Sequence, residues 1–489
     1  MKRILSLIQP SAGIDDRELD ENTAEELVQK IKRSCHDTKS AQHHRGPAPT
    51  RVDEDDIILE SMVDSSGILD RDDQGFWDFY GQASGKMFLR GLQNHSEKLQ
   101  TLVPRAIPAL KLEDTKTSFE NYYSAQMFPS HELPPREEVV ALCQRALDNV
   151  FVLTSFIHQP TFHVVVENIC SATNRDLDNQ ERRVVPLLYV ILAIGSLCPS
   201  DNKDPELLHR EAGLAQGRKL FFKSNQLLDL SNCRDLTSLQ TICCWVIYLQ
   251  AVAEFDRAYV YIGIAVRCAL RLGMHRSVLA GSDPVEQEMR KRTFWFIHKA
   301  DVYLSGLLGV PQMIHDEDID QILPLELDDA YISKDGISPM SPRNTPLIAA
   351  QDLLQLSFAH VQMVLYRPFL HYLLNSRRTQ DSSPHAKVCA FACLDVSRKI
   401  IENMGRMAER GVPIGPHWFV MYSTYFATLN LLYYAFGGPS SELQHSGIEY
   451  AYKDQEALTF FGKQSLAADR CSKSIEVRTR ALVRKAYAC

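Results

Sequence analysis

The sequence predicts an all-α fold, and three observations carry that reading. From Leu133 onward the 489-residue chain is a succession of apolar-periodic segments, each about 12 to 25 residues long and punctuated by Pro, Gly and Asp. Almost nothing alternates with period two, as half-buried strands would. Hydrophobic residues make up 45% of the chain and charged residues 23%, the balance of a globular protein with a sizeable core.

In chain order, DDRELDENTAEELVQKIKR fits one amphipathic helix, and HDTKSAQHHRGPAPTRVDEDD follows as a linker. This acidic stretch has too little apolar surface to offset chain entropy, so partial disorder is expected over 35–58. Helices are then expected over 136–155, 184–197, 205–228, 236–251, 256–272, 284–307, 346–366, 384–408, 415–436 and 454–472. Two are specified locally. Asp256 can cap YVYIGIAVRCALRL, which places Tyr259, Ile262, Val266, Ala269 and Leu270 on one face and stops at Gly273. The next has Asp283 as cap, Pro284 at the first helical position and Glu286 at the third, and ends before Gly309 and Pro311. The chain is expected to divide into an N-terminal helix and flexible linker (1–70), a large multi-helix domain (71–435), and a C-terminal helix with an irregular basic tail (436–489).

Charge and composition exclude several function classes. The net charge is −8 and no stripe of Lys and Arg occurs, whereas nucleic-acid binders concentrate cations on one face to displace phosphate counterions. Direct DNA binding by this chain alone is not expected. The longest apolar run, VVPLLYVILAIGSLC (184–198), falls short of the ~18 residues a membrane span needs. MKRILSLIQPSAG loses its apolar run at Gln9 and Pro10, too early for a secretory signal. Twelve scattered cysteines suit a reducing compartment.

Candidate chemistry is sparse. No C-x2-C pair occurs; Cys243 and Cys244 are adjacent, and Cys389 and Cys393 lie one turn apart without a second pair, so buried thiols are the simpler reading. His158 and His163 flank a proline in HQPTFH, which reads as a turn leading out of a helix. GQASGKM (81–87) is one residue short of a phosphate loop and has Met87 where a hydroxyl is required. DEDID (316–320) has the Asp-Glu-x-x-Asp spacing with which helical terpenoid synthases hold magnesium, but Pro311 and Pro324 bracket it and no second metal motif follows. Arg267, Arg271 and His275 recur every four residues and would share a helix face. They could meet an anionic ligand or pair with acids. Asp301, set among Phe294, Ala300 and Leu304, would need a partner if buried, and an Arg271–Asp301 pair joining two helices is expected.

The order of these residues carries a resemblance. AVRCALRLGMHRS, followed by DPVEQEMRKRTFWFIHKADVYLSGLLGVPQMIHDEDIDQILP, resembles the most diagnostic segment of the middle homology region of fungal zinc-cluster transcription factors. Leu272, Gly273, Met274, His275 and Arg276 match its first element. Arg290, Arg292, Trp295, Asp301, Gly309, Pro311, Asp316, Asp318 and Pro324 match the rest. DDQGFWDFYGQASGKMFLRGL (72–92), the stretch from Leu133 to His163, and HVQMVLYRPFLHY (360–372) are similar to further parts, and the look is closest to activators of the xylanolytic type.

The resemblance implies that 71–435 is an all-α regulatory domain. It would modulate RNA polymerase II gene expression in the nucleus, or stay in the cytoplasm if no partner carries it in. Implied partners are other transcription factors or transcription machinery, a second copy or a related chain, or a small-molecule inducer; no enzymatic role is implied. In the family, zinc belongs to an N-terminal module of six cysteines. Only Cys35 precedes Cys143 here, so the zinc-ligating and DNA-contacting positions have no counterparts and no cofactor is expected. MKRILSLIQPSAG looks like the end of the coiled coil that follows such a module, which places the expected start downstream of it. A helical enzyme using DEDID with magnesium and a protein-interaction scaffold stand as alternatives.

Overall fold

The computed structural model describes residues 68–71, 77–81 and 84–89, and then most of the chain from 133 to 486. The gaps in that second range are 152–153, 173–176, 199–206, 278–282, 326, 335, 339–346, 371–383, 411–417, 438–440 and 463–465. The expected helix and linker before residue 68 lie outside the described residues.

The described residues are overwhelmingly helical. A short antiparallel hairpin, β1 (Ile68–Arg71) and β2 (Trp77–Tyr80), precedes α1 (Arg136–Ala146), which widens into a π turn at Leu147–Phe151. Then come α2 (Gln159–Ser171), α3 (Asn179–Leu197), α4 (Leu207–Leu227), α5 (Leu236–Ala251), α6 (Phe255–Arg271) and α7 (Pro284–Leu308). A long connection carries the two-residue strands β3 (Ile332–Ser333) and β4 (Gly336–Ile337). It leads to α8 (Leu347–Tyr366), α9 (Pro384–Glu409), α10 (Trp418–Gly437), α11 (Ser441–Gly462) and α12 (Leu466–Ala486).

Two groups of packed helices share one apolar core. In the first, α3 and α5 are central and flanked by α1, α4 and α6; in the second, α9 and α10 are flanked by α8, α11 and α12. The core runs from Phe88 to Ile475 and includes fully buried Trp245, Tyr189, Tyr248, Phe221, Phe294, Tyr425 and Phe461. Fully burying one large apolar side chain is worth roughly 1.5–3 kcal/mol, so this cluster is the main stabilising element. Several of its rings meet edge to face, as Trp245 and Phe221 do, and Phe221 stacks on Tyr248 with centroids 4.7 Å apart. Trp245 places its ring N–H on Ser224 Oγ (2.7 Å), and Ser224 donates in turn to the Pro186 carbonyl (2.6 Å).

Several boundaries differ from expectation for identifiable reasons. α3 starts at Asn179, five residues before its apolar run, because Asp178 and Glu181 form a reciprocal capping box, and it continues through Pro186. HQPTFH opens a helix instead of ending one: His158 is the cap position of α2 and Pro160 lies in its first turn, where a missing N–H costs nothing. Asp256 is not the cap of α6. The chain turns at Ala253 with φ 62°, Phe255 is buried, and Glu254 takes the cap position, leaving Asp256 in the first turn. The expected 454–472 helix is two helices, α11 and α12, and the segment expected as an irregular tail is the body of α12. Its inner face is Ala468, Cys471, Ser472, Ile475 and Thr479, a helical period in which two of five members are hydroxyls.

Candidate functional site

The resemblance-bearing residues converge on the two ends of α7 and the strap that follows it, Val310 to Ile332. The preceding turn is built first. Gly273 takes φ 66°, Met274 N–H reaches the Ala269 carbonyl and Gly273 N–H reaches Leu270, while Met274 is buried. This is a Schellman closure, and it explains Leu272-Gly273-Met274: a left-handed glycine followed by an apolar plug. Arg290 on α7 then donates to the Leu272 carbonyl (2.7 Å).

α7 is capped as its sequence implies, with Asp283 accepting from Glu286 N–H (2.8 Å) and Gly309 left-handed at the far end (φ 70°). Gly309 has a second duty. Gly81 donates its N–H to the Leu308 carbonyl (3.0 Å), and a Cβ on Gly81 would stand only 1.7 Å from the Gly309 oxygen. Gly81, the first residue of GQASGKM, therefore lies with its backbone directly against the end of α7, a contact that a side chain on Gly81 or Gly309 would block.

The strap is held at four places. Asp301, fully buried, accepts from Met313 N–H (2.7 Å) and Ile314 N–H (3.1 Å). The His275 carbonyl accepts from Asp320 and Gln321 N–H, and the Gln321 amide returns to the Met274 and Arg276 carbonyls. Trp295 donates its ring N–H to the Ile322 carbonyl (3.0 Å). Arg292 forms the fourth and strongest point. Its guanidinium reaches Glu288 (2.9 Å), Asp329 (2.6 Å), and the carbonyls of Ser155 (3.1 Å) and Leu327 (2.8 Å). Glu288 also accepts from Leu325 N–H (2.8 Å), and Asp329 from Gln159 N–H (3.0 Å). His158 closes the group: its Nε2 faces the carbonyls of Asp329 and Ile332, so it donates there, and Nδ1 meets Thr161. All three charged residues of this network are buried, one cation between two carboxylates, and Lys291 brings a second cation to 3.8 Å from Glu288.

The expected Arg271–Asp301 pair is not formed. Arg271 is exposed, and the Asp301 carboxylate is satisfied by strap amides, which neutralise a buried anion without any cation. Nor do Arg267, Arg271 and His275 form one face, because α6 ends at Arg271 and His275 lies in the turn beyond it; Arg267 is exposed as well. Charge reversal of Asp301 and Arg271 together should therefore leave the chain as unstable as Asp301→Arg alone, measured by urea unfolding. Asp301→Ala should cost about 2–4 kcal/mol, since two buried amides lose their acceptor.

The remaining candidates sit apart. Asp316 to Asp318 form an exposed 3-10 turn; Asp316 lies 3.6 Å from His298, while Asp320 meets Ser277 N–H and Arg276. Pro311 is exposed and Pro324 half-buried along the strap. Among the described residues no group of three or more His, Cys, Asp or Glu side chains is placed to hold a metal ion, and no helix is long and apolar enough to cross a membrane. Cys243 and Cys244 are fully buried, and burial drives their thiols well up; Cys143, Cys198 and Cys393 are pushed up to about 12. Cys268 is the exception: a hydrogen bond with Cys233 and the Arg271 guanidinium hold it down at about 7.

Among the buried ionisable groups of the second helix group that sequence reasoning missed are His360 and Asp454. His360 on α8 meets Ser423 (3.0 Å) and is kept neutral by burial, which with nearby Arg367 lowers it to about 3. Asp454 on α11 is raised to about 8 by burial, against a hydrogen bond from Thr428 that favours the anion. Thr428 Oγ1 meets both Asp454 and the Thr424 carbonyl. One hydroxyl hydrogen cannot serve both. A protonated Asp454 donating to Thr428, which donates to Thr424, accounts for both contacts.

The diagnostic polar residues of this helical body are bonded mainly to main-chain atoms, so they form a structural clamp. The model of the fungal specific transcription factor domain matches residues 147–401, just over half of the chain, and the chain belongs to that family. It is 28% identical to activator of stress genes 1 of Saccharomyces cerevisiae, across 62% of this chain and 38% of that protein. It is 27% identical to activator of stress genes protein 1 of Candida albicans, across 62% and 40%. A putative transcriptional regulatory protein of Saccharomyces cerevisiae is 26% identical across 72% of this chain and 57% of its own length. The chain thus matches from under two fifths to under three fifths of the length of these relatives.

Proposed function

We propose that this chain is the regulatory body of a fungal transcription regulator, acting in the nucleus on RNA polymerase II transcription through contacts with other proteins and with no catalytic step of its own. The family match over 147–401 carries the reading. The strap supports it: Arg290, Arg292, Trp295 and Asp301 are consumed in positioning backbone, which leaves a firmly held surface segment instead of a reactive cleft. The magnesium-enzyme alternative has no such support, since the DEDID acids are exposed on a turn and diverge toward His298 and Arg276.

The test is a reporter assay in a fungal cell, with the whole chain fused to a heterologous DNA-binding module. The fusion should change reporter output severalfold relative to the module alone, and Asp301→Ala should abolish or invert that change at equal protein level. Output identical to the module alone would overturn the reading.

A further inference from the structure

Cys233 and Cys268 come from separate segments and meet thiol to thiol. Cys233 ends the short turn Leu230–Asn232 that leads into α5, and Cys268 lies in the last turn of α6. Their side chains are hydrogen-bonded to each other. Cys233 is buried, at 1% exposure, whereas Cys268 is half-buried, so a small solute reaches the Cys268 sulfur first and Cys233 stands behind it.

The two thiols divide their roles. Cys233 donates its hydrogen to the Cys268 sulfur, and this bond, with the Arg271 guanidinium three residues on, holds Cys268 at about 7 against its partial burial. The same bond, together with burial, drives the Cys233 thiol up. About half of Cys268 is therefore thiolate at neutral pH, the form that attacks peroxides. Cys170 and Cys389 are also half-buried, but burial pushes their thiols up. Among the described residues, Cys268 is the cysteine that combines access with a lowered thiol and a second thiol in contact.

We propose that Cys233 and Cys268 form a reversible oxidation site, which a hydroperoxide converts from two thiols into a disulfide. The Cys268 thiolate attacks the outer peroxide oxygen: an S–O bond forms, the O–O bond breaks, and the departing alkoxide, or hydroxide when the oxidant is hydrogen peroxide, takes up a proton. Cys268 is then a sulfenic acid, its sulfur oxidised by two electrons. Cys233 attacks that sulfur in turn; the S–S bond forms, the S–O bond breaks, and the hydroxide leaves as water with the proton that Cys233 gives up. Two thiols and one hydroperoxide thus yield one disulfide, one alcohol and one water, or two waters from hydrogen peroxide. The new bond fastens the entry of α5 to the end of α6, beside the turn that holds the strap, since the Cys268 carbonyl accepts from Leu272 N–H (2.9 Å). The site is independent of what the regulatory body contacts in transcription.

Exposure of the whole reduced chain to an equivalent of hydrogen peroxide at neutral pH, followed by alkylation and peptide mass mapping, tests it. A disulfide joining Cys233 to Cys268 should be the first product, formed about fivefold faster or more than any change at Cys170 or Cys389 and reversed by dithiothreitol. Cys233→Ser should stop the reaction at a Cys268 sulfenic acid that dimedone traps, and should raise the pH midpoint for alkylation of Cys268 by iodoacetamide from its parent value of about 7. Cys268→Ala should leave Cys233 reduced, and Cys170→Ser should change none of these results. A parent chain in which Cys268 is oxidised no faster than Cys170, or passes to the sulfinic acid without linking to Cys233, would overturn the inference, and that result requires no variant to fold.

Discussion

At pH 8, Asp454→Asn should make the chain more stable than the parent by several kcal/mol, and the advantage should shrink steadily as the pH is lowered. The carboxyl is fully buried, with Thr428 as the partner of one oxygen and none for the other. Burial raises it from the ordinary 3.8 to about 8. Between these values the folded chain keeps a proton that the unfolded chain has released, so stability falls as pH rises through the window and levels off above it. Each unit of the interval corresponds to ~1.4 kcal/mol. The amide is neutral throughout and has no such slope. His360 acts in the opposite sense: the unfolded ring takes up a proton near 6.5 while the buried ring stays neutral down to about 3, so stability is lost as pH falls between them. The two slopes offset one another from about pH 4 to 6.5, and the Asp454 contribution stands alone above that. Urea midpoints at pH 6.5 and 8 for parent and variant check this. Equal slopes in the two proteins would show that the group is ionised in the fold.

Arg292→Ala should be the most damaging single substitution in the strap, costing about 3–5 kcal/mol, the typical loss when one partner of a buried ion pair is removed. It strands Glu288 and Asp329, both buried, and frees the carbonyls of Ser155 and Leu327. Removing all three charges together, as Arg292→Met with Glu288→Gln and Asp329→Asn, should recover a large part of that loss, because the penalty comes from uncompensated charge more than from lost attraction. Calorimetric unfolding of the single and triple variants decides it. A triple variant less stable than Arg292→Ala would mean that the network's attraction outweighs its desolvation.

Much of the architecture is legible in the sequence where local chemistry is decisive. Asp283, Pro284 and Gly309 delimit α7 because caps act within one turn of chain. The all-α class follows from periodicity, with two small hairpins as additions among the described residues. α12 escaped because Ser472 and Thr479 occupy inward positions, and a hydrophobicity pattern cannot see a buried hydroxyl that bonds its own helix, as Thr479 does to the Ile475 carbonyl. The apolar neighbours of Asp301 mark it as needing a partner, but the partner is two backbone N–H groups. Every residue except proline carries one, so nothing in the composition of Met313 or Ile314 marks them as donors. Arg292 matched the family pattern, yet its acceptors lie 4, 37, 137 and 35 residues away, and only the folded chain brings them together.

The way the strap is fastened bears on how such chains can diverge. Trp295, Asp301, Gln321 and Arg290 grip main-chain atoms, which are the same whatever side chain the gripped residue bears. The outward side chains of Ile322 and Leu323 are thereby uncoupled from the clamp that fixes their backbone. Related chains can rewrite those outward letters, and with them the identity of whatever reads them, while the clamp and the fold beneath it stay as they are.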